Sequence, residues 1–83
     1  MIEAKIFSAV PLVNSDEGIL CVPIANLCKV LGIDWSSVSD RLMAYDGLRF
    51  SEIDVAGKRN IGMPVRSFPL FFALVQPLVQ NFL

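Results

Sequence analysis

The sequence predicts a small single domain of the α+β class that spans residues 1–83. Three observations support this class. Two turn-rich stretches each separate apolar segments of strand length, two segments with helical periodicity lie between them, and an uncharged apolar run follows. The predicted order is therefore a β-hairpin, a helical pair with the dimensions of a helix-turn-helix, a second β-hairpin and a C-terminal apolar helix.

The first hairpin is predicted between Ile2 and Val22. Residues 2–12 alternate imperfectly between apolar and polar, which is typical of a half-buried strand, and Pro11 marks its end or places it at a sheet edge. Residues 14–18 form a turn by composition, in which Gly18 is expected to adopt a positive φ. The segment 19–22 then returns as the second strand.

The first helix of the pair is predicted from Pro23, which suits a first helical turn. Gly32 is expected to end it in a left-handed conformation, and Asp34, or alternatively Ser36, is expected to cap the next helix. Four apolar residues at i, i+3, i+4 and i+7 predict its buried stripe: Ile24, Leu27, Cys28 and Leu31.

The second helix is predicted to end at residues 46–47. Its Trp35 is expected to pack in the core rather than act as a surface hot spot. The apolar stripe comprises Trp35, Val38, Leu42 and Tyr45. The outward side chains predicted to bind a partner are Ser36, Ser37, Asp40 and Arg41.

The second hairpin is predicted from residues 49–55 and 61–65, with a turn at 57–60. Lys58 and Arg59 would then lie at its tip, either as a wing that contacts phosphates or as an ordinary soluble turn. Together with Arg41 of the second helix, they are the candidate DNA contacts.

Residues 66–83 are predicted to form a C-terminal helix and tail. Ser67 would cap this helix, Pro69 fits its first turn, and no charged residue follows Arg66. The apolar run is shorter than the roughly 20 residues of a membrane span. It therefore suits a helix buried on all sides, an oligomer interface or a continuation into a longer chain. The candidate interface residues are Phe71, Phe72, Val75, Leu78 and Phe82.

Composition limits the classes of function. With 54% hydrophobic and 18% charged residues the chain is too apolar for disorder, and its surplus apolar surface fits a well-filled core or a partner. The net charge is −1, whereas electrostatic nucleic-acid binders are usually basic. Residues 1–46 carry six acidic and three basic residues, and residues 47–83 carry two and four. This polarity fits either a functional asymmetry or an ordinary solvated surface.

No catalytic constellation can be recognised in the sequence. Without a histidine, neither a Ser-His nor a Cys-His pair forms, and Cys21 and Cys28 are predicted to be buried free thiols. Asp34, Asp40 and Asp46 are the candidates for a metal-binding carboxylate cluster. They are spaced six residues apart and would face different directions on a helix, so they are not expected to bind one metal ion. We therefore expect no enzymatic activity, metal or cofactor. A secretion signal is also missing, so the cytoplasm is the expected compartment.

Two motifs in a fixed order carry a family resemblance. Residues 22–37 begin with Val-Pro-Ile and contain Leu-Gly-Ile-Asp-Trp-Ser-Ser, and residues 63–72 are Met-Pro-Val-Arg-Ser-Phe-Pro-Leu-Phe-Phe. In order and spacing, over roughly Ile6 to Val75, they resemble the N-terminal domain of bacteriophage antirepressors, a family related to Bro-type N-terminal domains.

The resemblance implies a non-enzymatic phage or prophage regulator in the bacterial host cell. Family members counteract a repressor, so the expected partner is a transcriptional repressor that the domain keeps from its operator. Related Bro-type and KilA-type domains are associated with DNA binding, but Val38 stands where the family usually has Gln, and Asp40 lies near commonly basic positions. Direct DNA binding and a pure oligomerisation module are the alternatives, and a homo-oligomer or a longer chain is expected.

Overall fold

The computed structural model describes the backbone of residues 2–80 and the side chains of residues 5–80. The described elements are α1 (Ile2–Ser8), β1 (Val13–Asn14), β2 (Leu20–Pro23), α2 (Ile24–Leu31), α3 (Trp35–Met43), β3 (Ser51–Val55), β4 (Lys58–Pro64) and α4 (Phe68–Val75), with short 3-10 turns at Val65–Ser67 and Gln76–Leu78. This content confirms the predicted α+β class.

The two hairpins form one antiparallel sheet with the strand order β1-β2-β4-β3. The hairpins are joined through β2 and β4, where Val22 pairs with Met63. In the chain, the helical pair α2–α3 lies between β2 and β3. The sheet curls, so that its edge strands β1 and β3 approach each other. Gly62 permits close packing inside this curl, since a Cβ atom there would lie 2.7 Å from the Cδ1 atom of Ile53.

The main core lies between the helices and one face of the sheet. Met63 from β4, Leu27 and Leu31 from α2, and Phe68 and Phe71 from α4 are fully buried there. Burying one side chain of this size contributes about 1.5–3 kcal/mol to folding. The helices and the sheet are therefore held together by a single shared apolar cluster.

The predicted strand at residues 2–12 is wrong, because Ile2–Ser8 is the helix α1. Ile6 is buried on α1 and Val10 is buried just after it, and a spacing of four suits one face of a helical turn as well as one face of a strand. Phe7 packs edge-on against Phe68, with 4.9 Å between the ring centroids. Only Val13–Asn14 pairs as the first strand of the hairpin.

Several predicted helix ends and caps also differ from the structure. Pro23 is the last residue of β2 and the N-cap of α2 rather than part of its first turn. Helix α3 ends at Met43, so Tyr45 lies beyond it and is exposed. Ser67 precedes α4 but makes no capping hydrogen bond through its side chain.

Helix α4 is buried along one side, which corrects the prediction of burial on all sides. Phe68, Phe71 and Val75 face the core, whereas Ala73 and Leu74 are exposed. Its outer face is thus apolar as well as accessible. Over the described residues 2–80, none of the helices has the length and apolar character required to cross a membrane.

The turn of the second hairpin is Ala56-Gly57, since Val55 pairs directly with Lys58. Both turn residues have positive φ, 52° at Ala56 and 82° at Gly57, as a two-residue type I′ turn requires. The predicted turn at 57–60 is therefore wrong. Lys58 and Arg59 are the first residues of β4 and not the hairpin tip.

Replacing Ala56 with Asn is expected to stabilise the protein by about 1 kcal/mol. Alanine is strained at positive φ, whereas Asn-Gly is the preferred type I′ pair. Urea unfolding followed by circular dichroism measures the change. Ala44→Asn is the matched control, because Ala44 is exposed at a φ of −87° and should change stability by less than about 0.5 kcal/mol. Equal effects at both positions would contradict the assigned strain.

Candidate functional site

The turn between α2 and α3 is built on Gly32, whose φ of 73° and ψ of 33° lie in the left-handed region, as predicted. The Gly32 N–H donates to the carbonyl of Lys29 at 3.3 Å, and the Ile33 N–H donates to that of Cys28 at 2.9 Å. These bonds satisfy carbonyls that a helix end leaves open. Ile33 is buried against the core and fixes where α3 begins.

Asp34 caps α3, which confirms the predicted cap. Its Oδ1 atom accepts from the Ser36 backbone N–H at 3.2 Å and from the Ser36 hydroxyl at 2.8 Å. Its Oδ2 atom accepts from the Ser37 hydroxyl at 2.9 Å. The Ser36 and Ser37 hydroxyls hold the pKa of the Asp34 carboxyl below its usual value, because they stabilise the carboxylate.

Helix α3 presents two accessible stripes. The first, here called the outward stripe, comprises Ser36, Asp40 and Met43, which are exposed and spaced at i, i+4 and i+7. The second faces the C-terminal segment and contains Arg41. The four residues predicted to bind a partner are thus divided, with Ser36 and Asp40 on the outward stripe and Ser37 and Arg41 at the second face.

Two adjoining hollows separate α3 from the C-terminal segment, and together they are called the α3 groove. The first has a volume of ≈ 210 Å³ and is lined by Val38, Arg41, Leu42, Tyr45, Leu74, Val75 and Leu78. The second has a volume of ≈ 190 Å³ and is lined by Gly32, Ile33, Asp34, Ser37, Val38, Leu78 and Gln80. Because Val38 and Leu78 line both, the hollows adjoin at these two side chains.

The residues predicted as an oligomer interface occupy different environments. Phe71 and Val75 are buried inside the domain, so the prediction that they contact another copy is wrong. Phe72 is half-buried, with its ring centroid 5.5 Å from that of Phe68. Leu78 is 43% exposed and is accessible in the α3 groove. Phe82 lies outside the described residues.

The candidate DNA contacts lie on different elements, with Arg41 on α3 and with Lys58 and Arg59 on β4. Arg59 donates to Asp54 Oδ1 at 3.2 Å and to Glu52 Oε2 at 3.3 Å across the β3–β4 ladder, and these carboxylates raise the pKa of its guanidinium. Arg41 lines the α3 groove, whose described walls include neither Lys58 nor Arg59. Two carboxylates thus already offset the charge of Arg59.

Trp35 lies partly inside the domain. Its side chain is half-buried and packs against the core, and its ring centroid is 5.9 Å from that of Phe50. This arrangement agrees with the predicted packing role of Trp35.

Both cysteines are buried free thiols, as predicted. Burial, with a smaller effect from the Asp34 charge, raises the pKa of the Cys28 thiol to about 11. Burial also raises the pKa of the Cys21 thiol. Both thiols are therefore protonated at neutral pH, which makes them poor nucleophiles and poor metal ligands. Among residues 5–80 there is no group of three or more metal-binding side chains.

Comparisons with known proteins found no matching family model, no similar curated protein and no similar solved structure. The antirepressor resemblance therefore stays a prediction that rests on the two sequence motifs.

Asp34→Ala is expected to lower the melting temperature by roughly 4–8 °C, because the first turn of α3 loses its cap. Asp34→Asn keeps a capping oxygen, so its melting temperature should remain close to that of the parent protein at pH 7.

The pKa of Asp34 is lowered by folding, so its contribution to stability is present above its ordinary pKa of 3.8 and is lost as the pH falls below that value. Thermal unfolding from pH 7 to pH 2 should show a weaker acid dependence in Asp34→Asn. An unchanged dependence would contradict this linkage.

Proposed function

We propose that this chain is a non-enzymatic regulatory domain of the antirepressor type, which binds a transcriptional repressor and keeps it from its operator. The observation that carries the proposal is the outward stripe of α3, where the exposed Asp40 carboxylate and the exposed Met43 thioether lie on one accessible helix face. The resemblance of residues 22–37 and 63–72 to antirepressor N-terminal domains supports the choice of a repressor as the partner.

The chemistry of the outward stripe suits a protein surface that otherwise binds DNA. A repressor's operator-binding face is basic because it contacts phosphates, and Asp40 offers it a carboxylate. Met43 is 51% exposed, and methionine adapts its shape to irregular apolar surfaces. The Ser36 hydroxyl donates its proton to Asp34 and offers its outer lone pairs as acceptors for basic side chains.

The same features disfavour direct DNA binding by this helix. Asp40 would repel phosphates, and Arg41 is the one cation on α3. Arg59 already forms ion pairs with Glu52 and Asp54. Since each phosphate contact adds to the affinity and to its salt dependence, a helix with one cation would bind DNA weakly.

Operator release provides the test of this function. A fluorescently labelled operator is bound by the repressor encoded in the same phage or prophage, and the domain is titrated in while anisotropy is recorded. We expect anisotropy to fall towards the value of free operator. Asp40→Lys should raise the required concentration by roughly tenfold. The matched control is Asp16→Lys, which makes the same charge change in the exposed β1–β2 loop.

Two results would overturn the proposal. One is operator binding that stays unaltered over the whole titration, and the other is an equal effect of Asp40→Lys and Asp16→Lys. A parallel titration of the domain alone into a random duplex at low salt separates the DNA alternative. Binding there that weakens steeply with salt and with Lys58→Ala would favour direct DNA contact instead.

A further inference from the structure

The α3 groove carries opposite charges at its two ends. Asp34 lines one hollow and Arg41 lines the other, and they are the only charged residues among the described lining side chains. A helix rises 1.5 Å per residue, so the two positions are roughly 10 Å apart along α3. Val38 lies between them, and it lines both hollows together with Leu78.

We propose that the α3 groove is the interface of a two-fold symmetric dimer, in which two copies pack antiparallel along α3 with Arg41 of each copy facing Asp34 of the other. A two-fold axis near Val38 and Leu78 exchanges the two ends of the groove. It therefore brings each positive end onto a negative end. Such self-complementarity is what an interface between identical copies requires.

The remaining lining explains why the contact would be favourable. Tyr45, Leu74 and Leu78 are large apolar side chains that are each more than a third exposed in the single copy. Burying them in the facing groove removes apolar surface from water. With one cation and one anion, the groove has no net charge, so it favours neither a strongly acidic nor a strongly basic partner.

The Asp34 carboxylate retains capacity for a guanidinium. Its Oδ2 atom accepts one described hydrogen bond, from Ser37, and a carboxylate oxygen accepts two. Arg41 is exposed and carries five donors in a fork that matches a carboxylate. The cap and the contact between copies therefore use different lone pairs of one side chain.

This dimer does not depend on the proposed repressor binding. The outward stripe of Ser36, Asp40 and Met43 is not part of the described groove lining and would stay accessible on both copies. Asp40→Lys should therefore leave self-association unchanged. The two inferences can then fail independently.

Sedimentation velocity of the 83-residue chain tests the dimer. Between about 1 μM and about 500 μM, a range that covers weak to moderate dimers, we expect the sedimentation coefficient to rise from the monomer value to the dimer value. Leu78→Lys should weaken association by at least about tenfold. Leu20→Lys is the matched control, since Leu20 is 45% exposed on β2, outside the groove, and should associate like the parent chain.

A double-mutant cycle then tests the charge pairing. Arg41→Ala and Asp34→Asn should each weaken the dimer by roughly fivefold. The double variant should also be weakened by only about fivefold relative to the parent chain, because the two changes remove the same interaction. Arg49→Ala removes an exposed cation outside the groove and should have no effect. Circular dichroism verifies that each variant is folded.

Three outcomes would overturn the proposal: a monomer at every concentration, equal association of Leu78→Lys and Leu20→Lys, or fully additive effects in the cycle. The last outcome would show that Arg41 and Asp34 act on separate partners.

Discussion

The left-handed backbone at Gly32 is the constraint on which the arrangement of the helical pair depends. It ends α2 while that helix is still in contact with the core, and it places Ile33 against the same core. Asp34 follows directly and lies in the position where it caps α3. The direction of α3, and with it both accessible stripes, therefore follows from one backbone conformation that glycine adopts at low cost.

Two of the described charged groups are engaged by neighbouring side chains. Arg59 is held by two carboxylates of the neighbouring strand, and Asp34 is held by two serine hydroxyls. The proposals rest instead on the exposed Asp40 carboxylate, the exposed Met43 thioether and the apolar α3 groove. These groups are more typical of protein interfaces than of surfaces that follow a phosphate backbone. These exposed groups are the physical basis for preferring a protein partner.

The helical pair could be predicted from sequence because its signals are specific to residue type. Gly32 and Asp34 each have one common role at that spacing, and α2 has a clear apolar stripe. The N-terminal helix was missed because Ile6 and Val10 satisfy a strand parity and a helical turn equally well. In α4, both faces are apolar, so no pattern distinguished the buried Phe71 from the exposed Leu74.

The groove and the Arg59 ion pairs could not be predicted because they depend on tertiary register. Moving the hairpin turn by one or two residues decides whether Arg59 lies at a tip or opposite Asp54. Likewise, Leu78 and Val38 line the same hollow only when α4 is packed in place. Sequence periodicity describes one element at a time, whereas both features need two elements to be placed relative to each other.

A hydrogen bond at the end of α2 links distant parts of the chain. The Gln80 N–H donates to the carbonyl of Leu31 at 3.0 Å, across 49 positions in sequence. Because 49 positions separate the two residues, this bond forms only when the C-terminal segment has packed against the end of α2. The helical pair has the most local signals in the sequence, yet one of its hydrogen bonds depends on a segment far along the chain, so a variant that loosens residue 80 would also act on the end of α2.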